Sequence, residues 1–563
     1  MKINLEQFIL GTIIVLMLIL VLYPMILIFW QSFIVDEIIK LGKERLVIKH
    51  FSLGNYIDAL GDKHNIVPLK NTLILGLLTT LFSVLIGAPL AWLVIRTNLI
   101  AASKIRSIML IPYMVPPFIG AIAWEQLLTR DVGYFNKFIV AMIGSSPFDI
   151  HSFPGLIWVM TLMLYPMVFL TTAGALERMD PTLEEAARIS GSNNFKVMKD
   201  ITLPLVAPSI AAGAILVFIQ TIGNFGIPAL IGMQAHIFVM TTQIYAHLTS
   251  IGNIKIALVL STILMALAFA GVYSNQIFFR DKQFSIIAGK SMRPNVVDLG
   301  FLRIPILVAL GFFLLITVVS PFVSIFFTSL LKAWGAKLTF ANLTLHNFHY
   351  ILFEYGETQN AFINSFLLAI SAATITTFFG AIIAYILVKT KTRGKTLLDT
   401  VTTLPYSLPG VVVAVAMILA WSGRIGINLY DTFWIILMAY IVNYLTLAVR
   451  TVSSSLSQIH DSLEEAVRIS GGSWLRSFKD VVIPLIRPGL IAGWFLIFMP
   501  TLRELNMSIM LAGPETKTLG VAVYEMQDAG YYQISAALAV VILSVVIFGN
   551  IIIRKFSGGK LGL

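Results

Sequence analysis

Apolar runs of about 20 residues recur along the whole chain, each long enough to cross a hydrocarbon core of roughly 30 Å as a single α-helix. The pattern predicts spans over 8–30, 70–95, 107–128, 153–176, 205–231, 255–279, 304–331, 362–388, 400–421, 432–455, 485–511 and 533–553. Outer-membrane strands need segments of alternating polarity, and these runs are continuously apolar, so a β-barrel is disfavoured. The first run, Phe8 to Trp30, is too long for a signal-peptide core and lacks a small-residue cleavage site. It is expected to stay as a membrane anchor. The expected class is an all-α polytopic membrane protein of about twelve helices.

The polar segments between the runs carry a repeat. "EEAARISGSNNFKVMKDITLP", from Glu184 to Pro204, returns as "EEAVRISGGSWLRSFKDVVIP" from Glu464 to Pro484, and 464 − 184 and 484 − 204 are both 280. The surroundings repeat as well. "NTLILGLLTTLFSVLIGAPLAWLVIRT" from Asn71 corresponds to "NSFLLAISAATITTFFGAIIAYILVKT" from Asn364, and "LIPYMVPP" from Leu110 to "TLPYSLPG" from Thr403, here at 364 − 71 = 293 positions. The fall in offset assigns about thirteen extra residues to the loop around Thr129 to Ser152, since loops absorb insertions. Six spans per half is an even number, so the second copy re-enters the membrane with the orientation of the first. Two parallel repeats are expected, 1–285 and 286–563, with the repeated loops near 177–204 and 457–484.

Each repeated loop reads as a short helix, a sharp turn and a second short helix. Asp180 is placed to cap with Pro181 at the first helical position, and Thr182 with Glu185, like Ser462 with Glu465, has capping-box spacing. Gly191 and Gly471 are the expected stops, because glycine takes a left-handed conformation freely. A second amphipathic turn ends at Lys199-Asp200 or Lys479-Asp480, and Pro204 or Pro484 marks re-entry to the membrane. The shape suits docking, with Glu184, Glu185, Ala186, Ala187 and Gly191 in one copy and Glu464, Glu465, Ala466, Val467 and Gly471 in the other as contact candidates.

Composition agrees with a membrane protein: 58% of residues are hydrophobic, 12% are charged, and the mean hydropathy is +0.88. The net charge of +11 raises nucleic-acid binding, but no extramembrane domain exists to perform it. Basic residues instead cluster in connections, as Lys389, Lys391, Arg393 and Lys395 and as Arg280, Lys282, Lys290, Arg293 and Arg303. By the positive-inside tendency, these connections, both repeated loops and both termini face the cytoplasm. The absence of cysteine excludes disulfides, iron–sulfur clusters and thiolate metal sites. The eight histidines show no ligand spacing along the chain, so no metal site is expected. "GKS" at Gly289 and "GKT" at Gly394 lack the first glycine of a phosphate loop, with Phe284 and Lys389 in its place, so ATP hydrolysis belongs elsewhere.

Polar groups within spans usually face a cavity or a partner. Gln220 and Asn224 in "FIQTIGNFGIPAL", and Arg503 and Glu504 in "FMPTLRELNMSIML", are the candidates for a translocation pathway, and an interhelical structural role is the competing reading. Pro112, Pro116 and Pro117, with Pro405 and Pro409, predict broken or kinked helices along the same route.

The loop motif resembles the EAA loop of permease subunits of binding-protein-dependent ABC importers. Glu185-Ala186-Ala187, Gly191, Ile201 and Leu203-Pro204 match that pattern, and the second copy departs conservatively at Val467, Val481 and Ile483. The resemblance implies a type I ABC importer permease fold in a bacterial inner membrane, with each loop seated in a cleft of a cytoplasmic ATPase. It further implies two ATPase copies that bind ATP and Mg, no cofactor in this chain, and an extracytoplasmic substrate-binding protein. "GNFGIPALIG", "TTQIY" and the "REL" segment look most like the ferric-iron importer group, whose relatives handle thiamine, aminoethylphosphonate and sugar phosphates. An ion-coupled secondary transporter also has two parallel six-span halves; the paired loops favour the importer.

Overall fold

The computed structural model describes residues 5–41, 44–146, 148–279, 296–390, 394–423, 426–472 and 474–556. Among these, ten helices are long and apolar enough to cross a membrane, and two bent pairs raise the number to twelve. The first six are Leu10–Ser32, Lys63–Arg96, the bent pair Ala102–Met114 and Pro117–Leu128, Phe153–Arg178, Asn194–Ile222 and Ile254–Ser274. The second six are Gly300–Ser329, Gly356–Lys389, the bent pair Lys395–Ser407 and Gly410–Trp421, Phe433–Leu456, Phe478–Leu502 and Tyr532–Ile551. The bends, 100° and 113°, fall at Val115-Pro116 and Leu408-Pro409, where proline removes a donor and holds the residue before it extended. The expected boundary between repeats, 285/286, lies outside the described residues.

The repeat survives in the packing. Gly87 and Gly380 occupy equivalent places on the second and eighth spans. A Cβ on Gly87 would meet the Tyr165 carbonyl oxygen at 2.7 Å, and one on Gly380 would meet Ala448 Cβ at 2.4 Å. Only glycine lets these helices approach the fourth and tenth spans so closely. The third and ninth spans end at Leu128 and Trp421, still 293 apart, whereas the fourth and tenth spans start at Phe153 and Phe433, 280 apart. The extra residues are therefore in the loop that the offset indicated, and they form a helix, Tyr134–Ile143.

The halves are interleaved. The first span reaches across to the ninth, with the rings of Tyr23 and Trp421 6.4 Å apart, and Ser324 of the seventh span donates to the Ala123 carbonyl of the third at 3.2 Å. Each half's leading helix thus braces the bent helix of the other.

Three features differ from the sequence reading. A β-hairpin, Ile34–Leu41 paired antiparallel with Glu44–Phe51, adds two strands to the helical bundle. Its β-branched residues were the available signal, which a search for 20-residue runs passes over. The fifth and eleventh spans stop at Ile222 and Leu502, well before the expected 231 and 511, because the polar pairs Gly223-Asn224 and Arg503-Glu504 interrupt the helix. Finally, the second turn does not end at Lys199-Asp200 or Lys479-Asp480: the helices run unbroken through Pro204 and Pro484, from Asn194 to Ile222 and from Trp474 to Leu502.

A wide π turn carries each of these prolines. Met198–Thr202 closes with Leu203 N–H donating to Met198 O just before Pro204, and Phe478–Val482 closes with Ile483 N–H to Phe478 O just before Pro484. The same device precedes Pro24, over Leu18–Leu22, and Pro321, over Leu315–Val319. Proline clashes with the carbonyl four residues back in an α-helix. Bonding five residues back shifts that carbonyl and lets the helix continue.

Candidate functional site: paired loops and the inter-half junction

The repeated loops form two short helices, Thr182–Ile189 and Ser462–Ile469, at equivalent places in the two halves. Asp180 Oδ1 accepts from Thr182 N–H at 2.9 Å, which holds its carboxyl below the usual carboxylate range. Both helices stop at their glycines, Gly191 with φ +86° and Gly471 with φ +77°. Ser192 N–H then returns to Ala187 O at 3.0 Å, and Gly472 N–H to Val467 O at 2.9 Å, the six-to-one bond of a Schellman cap.

The two motif glutamates of each loop differ in environment. Glu185 and Glu465 are exposed, as are Ala186 and Ala466, and Ala187 and Val467 are half-buried. Glu184 and Glu464 are buried. Glu184 Oε1 takes Arg96 Nη2 and Thr202 Oγ1, each at 2.6 Å, where Arg96 ends the second span and Thr202 belongs to the π turn. In the second half Tyr385 Oη donates to Glu464 Oε2 at 2.8 Å, and Lys389 Nζ stands 3.7 Å from Oε1 and 2.6 Å from Asp461 Oδ1. Lys389 is the counterpart of Arg96 at the 293 offset. One glutamate of each pair therefore ties the short helix to the end of a span, and the outer surface is left to Leu183, Ile189 and Phe195 in one loop and Leu463 and Ile469 in the other.

Nothing lies within 4 Å of a Cβ built on Gly191 or Gly471. Replacing both by valine therefore adds backbone strain alone, about 1–2 kcal/mol or more per site, at the turn that aims this surface. Membrane content is expected to survive while transport is lost. Wild-type uptake by the double variant, with equal protein in the membrane, rejects a docking role for the loops.

The pathway candidates meet in the middle of the molecule. Asn224 and Glu504 are buried and perform equivalent tasks: Asn224 Oδ1 accepts from Ile227 N–H at 3.0 Å, and Glu504 Oε1 from Met507 N–H at 2.8 Å. Both cap the segment after a broken span. Glu504 Oε2 also accepts from Ser508 N–H at 2.9 Å and Ser508 Oγ at 2.7 Å, and that hydroxyl meets Tyr440 Oη at 2.5 Å. Arg503 instead reaches the other half, donating from Nη1 to the Met114 carbonyl beside the first bend. Its counterpart Gly223 lies against the second bend, where a Cβ would stand 3.2 Å from Pro409 Cβ. Asn506 Oδ1 accepts from Phe225 N–H at 3.1 Å and closes the junction between halves. Gln220 is exposed and lies outside this buried set.

A second polar junction was missed by the sequence reading. Glu125, buried on Pro117–Leu128, accepts from Gln527 Nε2 at 3.0 Å and stands 3.3 Å from His151 Nε2. Burial works against the charge on His151, but the Glu125 hydrogen bond and the nearby charges of Glu125 and Asp149 outweigh it and raise the imidazole pKa. Glu125 sits at the end of an apolar run beside its loop, so its position gave no signal of a partner some 400 residues away.

The model of the family described as "binding-protein-dependent transport system inner membrane component" matches residues 70–279 and 376–558. The chain is 28% identical over 560 residues to the ferric transport system permease protein FbpB of Actinobacillus pleuropneumoniae, covering 96% of this chain and 78% of that one. It is 29% identical over 449 residues to a putative ferric transport system permease protein, FbpB 1, of Haemophilus influenzae, covering 78% and 69% of the two chains. It is 26% identical over 494 residues to the Fe(3+)-transport system permease protein FbpB 2 of the same organism, covering 87% and 90%.

Proposed function

Because the chain belongs to the family of binding-protein-dependent transport system inner membrane components, we propose that this ABC importer permease moves ferric iron into the cytoplasm, by alternating access driven by a separate ATPase. The observation that carries the reading is the pair of short helices, each bolted by a buried glutamate to a span of its own half and each presenting an exposed apolar edge. Two such knobs in one chain suit two ATPase subunits, which bind the ATP and Mg. The chain is a permease without hydrolytic chemistry of its own. An extracytoplasmic binding protein delivers the cargo, and both termini lie in the cytoplasm with the loops. Iron as cargo is supported by relatives named for ferric transport that align along nearly the whole chain.

The complex purified with its ATPase is expected to contain one permease chain and two ATPase subunits. Native mass measurement showing a single ATPase, or two permease chains, contradicts the pairing of one loop with one ATPase. In vesicles containing that complex and its binding protein, ATP-dependent uptake is expected for ferric iron. Uptake of thiamine, aminoethylphosphonate or a sugar phosphate in its place would leave the permease reading intact and reject iron.

A further inference from the structure

The segment between the seventh and eighth spans lies at the end of the molecule opposite the repeated loops. Lys389, at one end of the 34-residue helix Gly356–Lys389, touches Asp461, just before the short helix Ser462–Ile469. At 1.5 Å per residue, Gly356 stands about 50 Å away. Just before it comes one helical turn, His346–His349, followed by a π turn, Tyr350–Glu354.

This segment is held firmly. Asn347 is buried and donates from Nδ2 to the carbonyls of Ser329 at 2.9 Å and Leu331 at 2.8 Å, fixing the turn to the end of the seventh span. Thr344 Oγ1 accepts from His346 N–H at 3.0 Å and fixes its start. His346 and His349 are three residues apart and share a face. In a continuing α-helix, the residue five beyond His349 would point about 140° away from it. The π turn closes with Tyr355 N–H donating to Tyr350 O at 2.9 Å, so that the fifth residue on completes the turn and Glu354 comes round beneath His349. Glu354 Oε1 is 2.7 Å from His349 Nδ1 and 4.0 Å from His346 Nδ1, and one ligand atom from each of the three residues lies within 4.8 Å of the others.

The π turn itself is unlike the others in the molecule. Of the six π turns among the described residues, four have a proline at the second position after their last residue and a fifth, Pro228–Gly232, opens on one. Tyr350–Glu354 has no proline within it, and Tyr355 and Gly356 follow it. Its extra residue accommodates no missing donor, and its effect is to aim a carboxylate at two imidazoles. All three side chains are exposed, so solvent or a partner's ligand has access to the remaining positions of a bound ion.

We propose that His346, His349 and Glu354 form a binding site for a divalent transition-metal ion on the face of the permease away from the ATPase. Two imidazole nitrogens and one carboxylate oxygen suit a borderline first-row ion and are unlike the all-oxygen sets of Mg²⁺ and Ca²⁺. Entry of the ion replaces the His349–Glu354 hydrogen bond with two metal–ligand bonds. Sequence spacing hid the site, because only the π turn brings position 354 into register with 346 and 349. The site is independent of the cargo and stands or falls separately from iron transport.

The test uses the full-length chain without a histidine tag, in lipid nanodiscs, titrated with Co²⁺ followed by its absorption bands and with Zn²⁺ by calorimetry. One equivalent is expected to be lost in the His346→Ala/His349→Ala double variant. Glu354→Gln, which leaves the surface shape unchanged, is expected to weaken that equivalent at least tenfold. Monodisperse elution of each variant shows that it is folded, as expected for substitutions at exposed positions. Titrations of wild type and the double variant that superimpose overturn the proposal, as does an affinity unmoved by Glu354→Gln.

Discussion

Arg96→Leu is expected to destabilise the permease by about 3–5 kcal/mol and to abolish transport, because it leaves the carboxylate of Glu184 buried without its cation. Arg96 and Glu184 side chains are 1% and 5% exposed and meet at 2.6 Å, so solvent offers little replacement. Arg96→Lys is expected to retain most of the stability, since Lys389 occupies the equivalent place in the second half. Lys389→Leu is expected to cost less than Arg96→Leu: Lys389 binds chiefly Asp461, whose side chain is 78% exposed, and Glu464 keeps its bond from Tyr385. The double variant Arg96→Leu/Glu184→Leu separates two roles. Replacing a buried ion pair by apolar side chains is often neutral for stability, so the melting temperature should largely recover. If the pair positions the short helix Thr182–Ile189 for docking, transport stays lost in that stable double variant. Recovery of both together would show that the pair supports folding alone, and an Arg96→Leu protein that melts with the wild type would remove the argument altogether.

The asymmetry between Arg96 and Lys389 bears on what the sequence made legible. The twelve spans, the parallel repeat, the glycine stops and the bends at proline could all be read directly, because each depends on a local rule about hydrophobic length, left-handed backbone or a missing donor. The cap from Asp180 was legible for the same reason. The partners of Glu184 were not. Arg96 is 88 residues away and stands at the end of an apolar run, where it reads as an interfacial cation. "EEAAR" was therefore read as one exposed surface, although consecutive residues on a helix point about 100° apart, and only one of the two glutamates faces outward.

Helix continuity failed in the reverse sense. The second amphipathic turn was expected to end at Lys199-Asp200 and Lys479-Asp480, yet an inserted π residue lets the helix run on through Pro204 and Pro484, and the same solution appears before Pro24 and Pro321. Asn224 and Glu504 were read as polar groups within continuous spans, when they cap the chain where those spans stop. The histidine–glutamate cluster has the same origin. A π turn changes the register of a face by one residue, and no periodicity in composition announces it. What escaped the sequence is thus the pairing of distant charges and the sites where the helical count slips.

Glu504 is the position where the pathway and structural readings diverge most. Glu504→Ala removes the acceptor for Met507 N–H, Ser508 N–H and Ser508 Oγ at a buried site, and each donor left unpaired costs about 1–3 kcal/mol. A marked fall in melting temperature is expected, with the coupling of ATP hydrolysis to uptake retained in the folded fraction. The other half supplies the diagnostic substitution. Asn224 meets the equivalent N–H of Ile227 with a neutral amide oxygen, so Glu504→Asn should restore the Met507 bond and recover a large part of the stability lost in the alanine variant. It should not recover all of it, since the shorter side chain has no second oxygen for Ser508. A gate would behave otherwise. If the charge of Glu504 controls access between the halves, alanine and asparagine should be equally uncoupled, with raised basal ATPase activity or lowered uptake at an unchanged melting temperature. Melting temperature, basal ATPase rate and uptake measured on both variants decide between these outcomes, and equal uncoupling without destabilisation would reassign Glu504 from cap to gate.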